Sequence, residues 1–332
     1  MVMSREEAIV FEAWTKVNDV TGESFLHSTL GLMDTSKKSP RQLKAHSLRK
    51  YKGGGIPAVV LKHGLVHSVN SSGNFPLNYA FNSKWFPIVK PYITEAMLTK
   101  TPGKDDWYTP FHAAVVNFGF LRSNKQTLSQ SRFTDDEAKE LSSSIFETIR
   151  PYITKKNLLL RSQKSEKSET VLHQFAKWGQ IGLLLDLQEE VAGPNNNSAV
   201  FPVVDGEMLH VSNSKGVTPL HFAAKCNQLH LVKEYILDSD ILPLMTICAG
   251  HNMTGLSLLL PRMTKDMWNV EAAGDVITVF RRFKREDALL GVELPENLED
   301  KLGPDWKVRS DQVKAEKAGL SEATDMAEMD IF

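Results

Sequence analysis

One short word recurs along this chain, and a chain built from copies of one word is more constrained than any composition could make it. The word is clearest at residues 216–237, GVTPLHFAAKCNQLHLVKEYIL. Four other stretches echo it: FPLNYAFNSK from Phe75, TPFHAAVVNFG from Thr109, TVLHQFAKWG from Thr170 and TGLSLLLPRM from Thr254. All five place an apolar residue two positions after the first, and the Thr109, Thr170 and Thr218 copies follow it with His112, His173 and His221. A unit this small cannot bury the apolar faces of its own helices, so copies must stack on one another to form a core.

The copies are separated by 34, 61, 48 and 36 residues. Against a period of about 33, two intervals carry insertions of about 28 and 15 residues. FPIVKPYIT at 86–94 is mirrored by FETIRPYIT at 146–154, which puts the first insertion inside the Thr109 copy, near 119–144. There Thr134 and Glu137 make a T-x-x-E capping box, predicting a loop from about 120 to 133 followed by an extended second helix. The second insertion, EEVAGPNNNSAVFPVVDGE at 189–207, has the Pro, Gly and Asn of a surface loop around a short extended run.

The word resembles the ankyrin repeat, a turn followed by two antiparallel helices with a T-P-L-H-x-A core. Gly216, Thr218, Pro219, Leu220, His221, Ala223, Ala224, Leu231, Val232 and Ile236 stand where that family has the same residue types, with Asn227 in place of a glycine. The resemblance implies that His112, His173 and His221 hydrogen-bond within and between turns. Departures weaken the ends: Phe75, Asn78 and Phe81 replace Thr, His and Ala, so that packing must open for a ring, and in the Thr254 copy Pro261 ends the first helix early.

The expected fold is all-α, an ankyrin-repeat solenoid of about five to six irregular repeats with helical caps at both ends. Residues 57–274 form the array, Leu61 and Gly64 ending a helix of one further unit whose first helix is not recognisable. Residues 1–56 form an N-terminal helical cap, with a Ser4–Glu7 capping box ahead of an apolar stripe at Ile9, Val10, Trp14 and Val17. Residues 275–306 form the C-terminal cap around Val276, Ile277, Phe280 and Phe283, and 307–332 a loosely held charged tail.

The 332 residues carry 39 basic and 40 acidic side chains, a net charge of −1, so any polyanion would have to be met by local patches. Those are Lys37, Lys38, Arg41, Lys44, Arg49, Lys50 and Lys52, and then Arg281, Arg282, Lys284 and Arg285; solvated helix faces explain both, and nucleic acid is not the expected partner. Cys226 and Cys248 are the only cysteines, too few for a disulfide scaffold and consistent with a reducing compartment. The start, with Glu6, Glu7 and Glu12, is not a secretory signal, and no apolar run spans a bilayer. No H-E-x-x-H or cysteine-paired zinc spacing occurs, and KGGGIP at 52–57 lacks the G-K-[ST] of a phosphate loop. His221 and Cys226 lie five residues apart on one short helix and so on different faces. No metal, cofactor or catalytic residue is expected.

The resemblance therefore implies a non-catalytic protein–protein interaction module, cytoplasmic, binding a partner protein through turn tips and inner-helix positions. Carried onto this sequence, those positions are Asp105, Asp106, Tyr108, Val116 and Asn117; Glu166, Lys167, Glu169, Lys177 and Trp178; and Ser214, Lys215, Val217, Lys225 and Cys226. Trp178 and Tyr108 have the character of hot-spot anchors. The degenerate copies and the tail AEKAGLSEATDMAEMDIF resemble effectors that intracellular bacteria deliver into eukaryotic cells by type IV secretion, which implies a host protein as partner. Two other readings stay open: an enzyme or modifier seated in the N-terminal region and insertions, and an anionic-lipid or nucleic-acid binder using the basic clusters.

Overall fold

The computed structural model describes residues 3–16, 23–31, 56–70, 73–83, 85–101, 108–123, 133–162, 168–191, 204–251, 255–264, 266–269, 271–282, 286–290, 292, 294 and 296–329. Its regular elements there are helical, with an isolated antiparallel bridge between Arg161 and Thr170. The chain divides into two compact units. The first holds residues 1–180, 190–203 and 212–216, the second residues 181–189, 204–211 and 217–332.

In the first unit α1 (Arg5–Thr15) starts on the Ser4–Glu7 capping box read from sequence. It packs on α2 (Phe25–Gly31) and α3 (Ala58–His63), Trp14 lying edge-on to Phe25 at 4.6 Å. Ile9 departs from the expected stripe: it is 62% exposed, because the buried face runs through Trp14 and Thr15. Then come α4 (Pro76–Ala80), α5 (Phe86–Val89), α6 (Glu95–Leu98), α7 (Pro110–Arg122), α8 (Asp135–Ile149), α9 (Lys155–Leu158) and α10 (Val171–Lys177). Helices α2, α4, α7 and α10 pack each on the next in chain order. Phe81 is fully buried against Phe86 at 5.7 Å, so the ring at the alanine position joins the core rather than holding it open. The Thr134–Glu137 capping box starts α8 as expected, while α7 continues to Arg122, so the insertion lengthens both helices of a hairpin. Residues 124–132 lie outside the described set.

The helix unrecognised in sequence is α2. The Ser24 backbone N–H donates to His27 Nδ1 at 3.1 Å and its hydroxyl meets the same nitrogen at 2.7 Å, the bonds that Thr170 makes to His173. Ser24-Phe25-Leu26-His27 is thus the recurring word with serine for threonine, and the residues read as an N-terminal cap contain a repeat-type turn of their own.

A second motif recurs beside the first. Residues 90–98, 150–158, 233–241 and 260–268 each begin with one 3₁₀ turn, at Lys90–Tyr92, Arg150–Tyr152, Lys233–Tyr235 and Leu260–Arg262. Each then runs through an apolar residue (Ile93, Ile153, Ile236, Met263) into a further short helical turn. Thr94 and Thr154 cap that turn by accepting a backbone N–H three residues on, which satisfies a donor the helix itself cannot. Asp205 caps α12 (Gly206–Leu209) in the same way. The turn closes on a buried Leu98, Leu158, Leu209, Ile241 or Trp268.

In the second unit α11 (Ile181–Val191), whose residues through Glu189 belong to it, and α12 are followed by α13 (Pro219–Lys225) and α14 (Ile241–His251). α14 packs on α13, on α15 (Leu256–Leu259) and on α16 (Glu271–Arg282). This corrects the Thr254 copy. Residues 255–262 are not a first helix; α15 with its 3₁₀ turn corresponds to FPIVKPY at 86–92, and the helix beside α13 is α14. TGLS has the apolar spacing of the word without its histidine, and Gly255 at the helix start has no side chain with which to cap it. Of the second insertion, 192–203, with most of the expected extended run, lie outside the described residues, and its last residues, Gly206 and Glu207, open α12.

Val276, Ile277 and Phe280 are buried on α16 as expected, and Phe283 lies outside the described residues. After α17 (Glu296–Leu302), the charged stretch falls in α18 (Pro304–Met329). Its first turns are anchored by buried Trp306, which donates to the Glu286 carbonyl at 3.1 Å, and by buried Ser310; Lys314 reaches Glu299 at 3.6 Å.

Among the described residues, the turns before Phe75, Thr170 and Thr218 each hold one residue in the left-handed region. Gly73 (φ 71°) and Gly216 (φ 73°) supply it two positions before Phe75 and Thr218, but before Thr170 the residue is Ser168, at φ 43°. A side chain there costs about 1 kcal/mol. Ser168→Gly is therefore expected to raise stability by about 0.5–1 kcal/mol in a denaturant titration; a loss would mean that the turn is not strained.

Candidate partner-binding site

The site is built on the capped histidines, because they set where the turn tips and the helix faces stand. In the second unit the Thr218 N–H donates to His221 Nδ1 at 3.1 Å, as Ser24 and Thr170 do to theirs in the first. A backbone N–H only donates, so Nδ1 carries no proton and the ring is the neutral Nε2–H form. His27 Nε2 then donates to the Asn74 carbonyl at 2.9 Å, and His112 Nε2 to the Glu169 carbonyl at 3.2 Å. Each of these carbonyls belongs to the residue just before the next copy of the word. Asn78, standing where a histidine was expected, does the same: its Nδ2 lies 3.5 Å from the Tyr108 carbonyl, one residue before Thr109. The amide replaces the imidazole as cross-turn donor, and its Oδ1, facing a Phe75 with no hydroxyl, is left without a partner. Burial holds the His112 pKa down at about 4, and those of His27 and His221 below the usual imidazole range. These rings are structural, and none presents a free base.

Above this ladder the first unit gathers a polar cluster. The buried Glu169 carboxylate accepts from Gln174 Nε2 and lies 3.5 Å from Lys177 Nζ. Half-buried Tyr108 stands 5.5 Å from the His112 ring, and burial, with the Glu169 charge second, pushes its hydroxyl pKa up. Gln174, five residues on from Glu169, escaped the sequence reading because the recurring word gives its position no role.

Trp178, at the C-cap of α10, packs against α7 at Gly119. A Cβ on Gly119 would overlap its Cγ, and Phe120 meets its ring edge-on at 6.1 Å. The tryptophan thus has a packing role that its position in the word did not show. Phe120, 37% exposed, forms the open side of this aromatic pair and was missed, since it belongs to the inserted helical turns. Gly119→Ala is expected to cost about 2 kcal/mol despite alanine's better helix propensity, because the ring is held close to its own backbone and must move. An unchanged melting temperature would show that the ring is free to shift.

Of the remaining sequence-derived positions, Ser214, Lys215 and Lys225 are exposed, and Val116, Asn117, Val217 and Cys226 are half-buried. Glu169 is closed off by its intramolecular bonds. Asp105, Asp106, Glu166 and Lys167 lie outside the described residues, as do the Lys37–Lys52 cluster, Lys284 and Arg285. Burial pushes the Cys248 thiol up to about 11. Among the described residues no three His, Cys, Asp or Glu side chains form a metal-binding group, and no helix is long and apolar enough to cross a membrane.

Compared with known proteins, residues 215–245 match the family model of the ankyrin repeat. No curated protein and no solved structure matches the chain. The matched stretch holds the Gly216 turn, the Thr218–His221 cap and α13, and ends within α14. Over residues 215–245, then, the chain is similar to ankyrin-repeat proteins, the family that its capped histidines had indicated.

Proposed function

We propose that the protein is a non-catalytic interaction module that takes a partner protein on its turn tips and inner-helix positions. The match of residues 215–245 to a repeat used for protein binding carries this reading. In the first unit the surface offered is Phe120 and Trp178, flanked by Val116, Asn117 and Lys177. Exposed or half-exposed aromatics that already rest on a rigid helix lose little entropy on binding, which suits them to anchor an interface. The test uses a partner retained from lysate by the immobilised full chain and then purified. Phe120→Ala is expected to weaken its binding tenfold or more, about 1.4 kcal/mol, with a melting temperature close to the parent's. Unchanged affinity would place the interface elsewhere, and turnover of a substrate by the purified chain would overturn the non-catalytic reading.

A further inference from the structure

Successive nine-residue turns are stitched together by side chains. In the first unit Asn157 Nδ2 donates to Glu95 Oε1 at 2.8 Å, and the Tyr152 hydroxyl to the Ile93 carbonyl at 3.3 Å. In the second, Arg262, at the position of Tyr152, donates to the Ile236 carbonyl at 2.8 Å and to Asp238 at 3.2 Å. Another stitch of the second unit joins His210, directly after α12, to Asp240 in the 3₁₀ turn Asp238–Asp240 that leads into α14. His210 Nε2 lies 2.8 Å from Asp240 Oδ2, and Nδ1 lies 2.6 Å from the Gly206 carbonyl. A carboxylate and a carbonyl oxygen only accept, so both ring nitrogens donate and the ring is an imidazolium. This is the opposite state to that of His27 and His221. Asp240 Oδ2 is itself fixed by the Leu237 N–H at 2.8 Å.

We infer that His210 and Asp240 form a pH-operated stitch, holding α12 to the turn at the head of α14 while the imidazole carries two protons and letting go when it loses one. The inference does not depend on the binding role. The other stitches named use amide, phenol, guanidinium or carboxylate groups, whose ordinary pKa values lie far from neutrality or which do not titrate at all. Both members of the pair are accessible to solvent, 26% and 21% exposed at the side chain, so the proton can leave without unfolding. Of the charged and titratable groups on the elements that meet here, Asp205 and Glu207 stand on the ring's own turn, Tyr235 lies beside Gly206, Asp238 and Asp240 stand on the turn opposite with Arg262 paired to Asp238, and His221 on α13 feels the Asp240 charge. Burial opposes the charge on His210, but its bonds to Asp240 and to the Gly206 carbonyl outweigh that, and its pKa stands above the ordinary 6.5. With a raised folded value, the stabilisation is complete below the unfolded pKa and is lost as pH climbs through the folded one.

The test is a ring-nitrogen NMR titration of His210 in the full chain and in Asp240→Asn, which keeps an oxygen for the Leu237 N–H but removes the charge. The parent is expected to titrate above 6.5 with both nitrogens protonated at pH 6, and the variant to lose about tenfold in proton affinity. Hydrogen-exchange protection of residues 205–211, corrected for intrinsic rate, should fall between pH 6 and pH 8.5 in the parent and be low throughout in the variant. His210→Gln at pH 6 should match the parent at pH 8.5, which keeps the test usable should Asp240→Asn not fold. A parent ring titrating at or below 6.5, or protection in the parent that does not change with pH, would overturn the inference.

Discussion

His112→Ala is expected to lower the unfolding free energy by about 4 kcal/mol. The ring is wholly buried, so its loss leaves a cavity of the kind that costs about 2–5 kcal/mol on truncation of a core side chain. It also removes the ring's bonds to the Thr109 hydroxyl at 2.8 Å and the Glu169 carbonyl at 3.2 Å; the carbonyl keeps the Ser162 N–H at 2.8 Å, but the buried hydroxyl loses its acceptor, which is expensive. The same substitution at half-buried His221 should cost roughly half as much, since water can reach part of the gap. Urea titrations of the two variants decide this. A His112 loss of about 1 kcal/mol or less would mean that the bond to the next turn contributes little, and that the stacking of α7 and α10 rests on apolar contact alone.

Acid is expected to destabilise the protein between pH 6.5 and 4. His112 titrates at about 4 in the folded chain against an ordinary 6.5, so between those values the unfolded chain binds the additional proton. Stability is therefore complete above 6.5 and falls with pH until about 4, by roughly 3 kcal/mol for this ring alone. His27 and His221 shift in the same direction and add to the loss. The physical event is a proton placed on Nδ1, where in those two rings it would confront the Ser24 or Thr218 N–H already bonded there. Melting temperatures at pH 7, 5.5 and 4 should fall steadily for the parent and less steeply for His112→Gln, which cannot protonate. A flat profile in the parent would mean that these rings are reached by protons without loss of their caps. His210 works in the opposite sense, so the two classes of histidine together place the stability maximum near neutrality.

How much of this was legible in the sequence follows the reach of each interaction. The Ser4–Glu7 and Thr134–Glu137 boxes and the Thr–His caps join residues three apart, and a bond of that span is written wherever the two residue types stand at that spacing. The PYIT echo located the first insertion for the same reason. The copy at Ser24 also bonds residues three apart, but serine stands where the word has threonine, and it is the ring's bond to Asn74, 47 residues on, that ties it to the next copy. The Thr254 copy misled in the other direction: its apolar spacing fits the first helix of a unit, and the packing of α14 against α13 and α16 shows that it is the end of a second.

The candidate site divides along the same line. The word placed Trp178 at the end of a helix, but only the folded chain lays it on Gly119 beside Phe120. Buried Glu169 was taken for an open position because the word fixes no direction for its side chain, and only in the fold does it turn inward onto Gln174 and Lys177 of the helix that follows. The charge state of a histidine was likewise beyond the sequence. His221 and His210 are the same side chain, neutral where a backbone N–H faces the ring and charged where a carboxylate and a carbonyl do. The sequence by itself determined the caps, the repeat and the helical class, since these depend on bonds within one turn of chain. The tertiary structure alone decided which helices pack together, which rings are buried and which histidine holds a proton, because desolvation and partners tens of residues away set those energies.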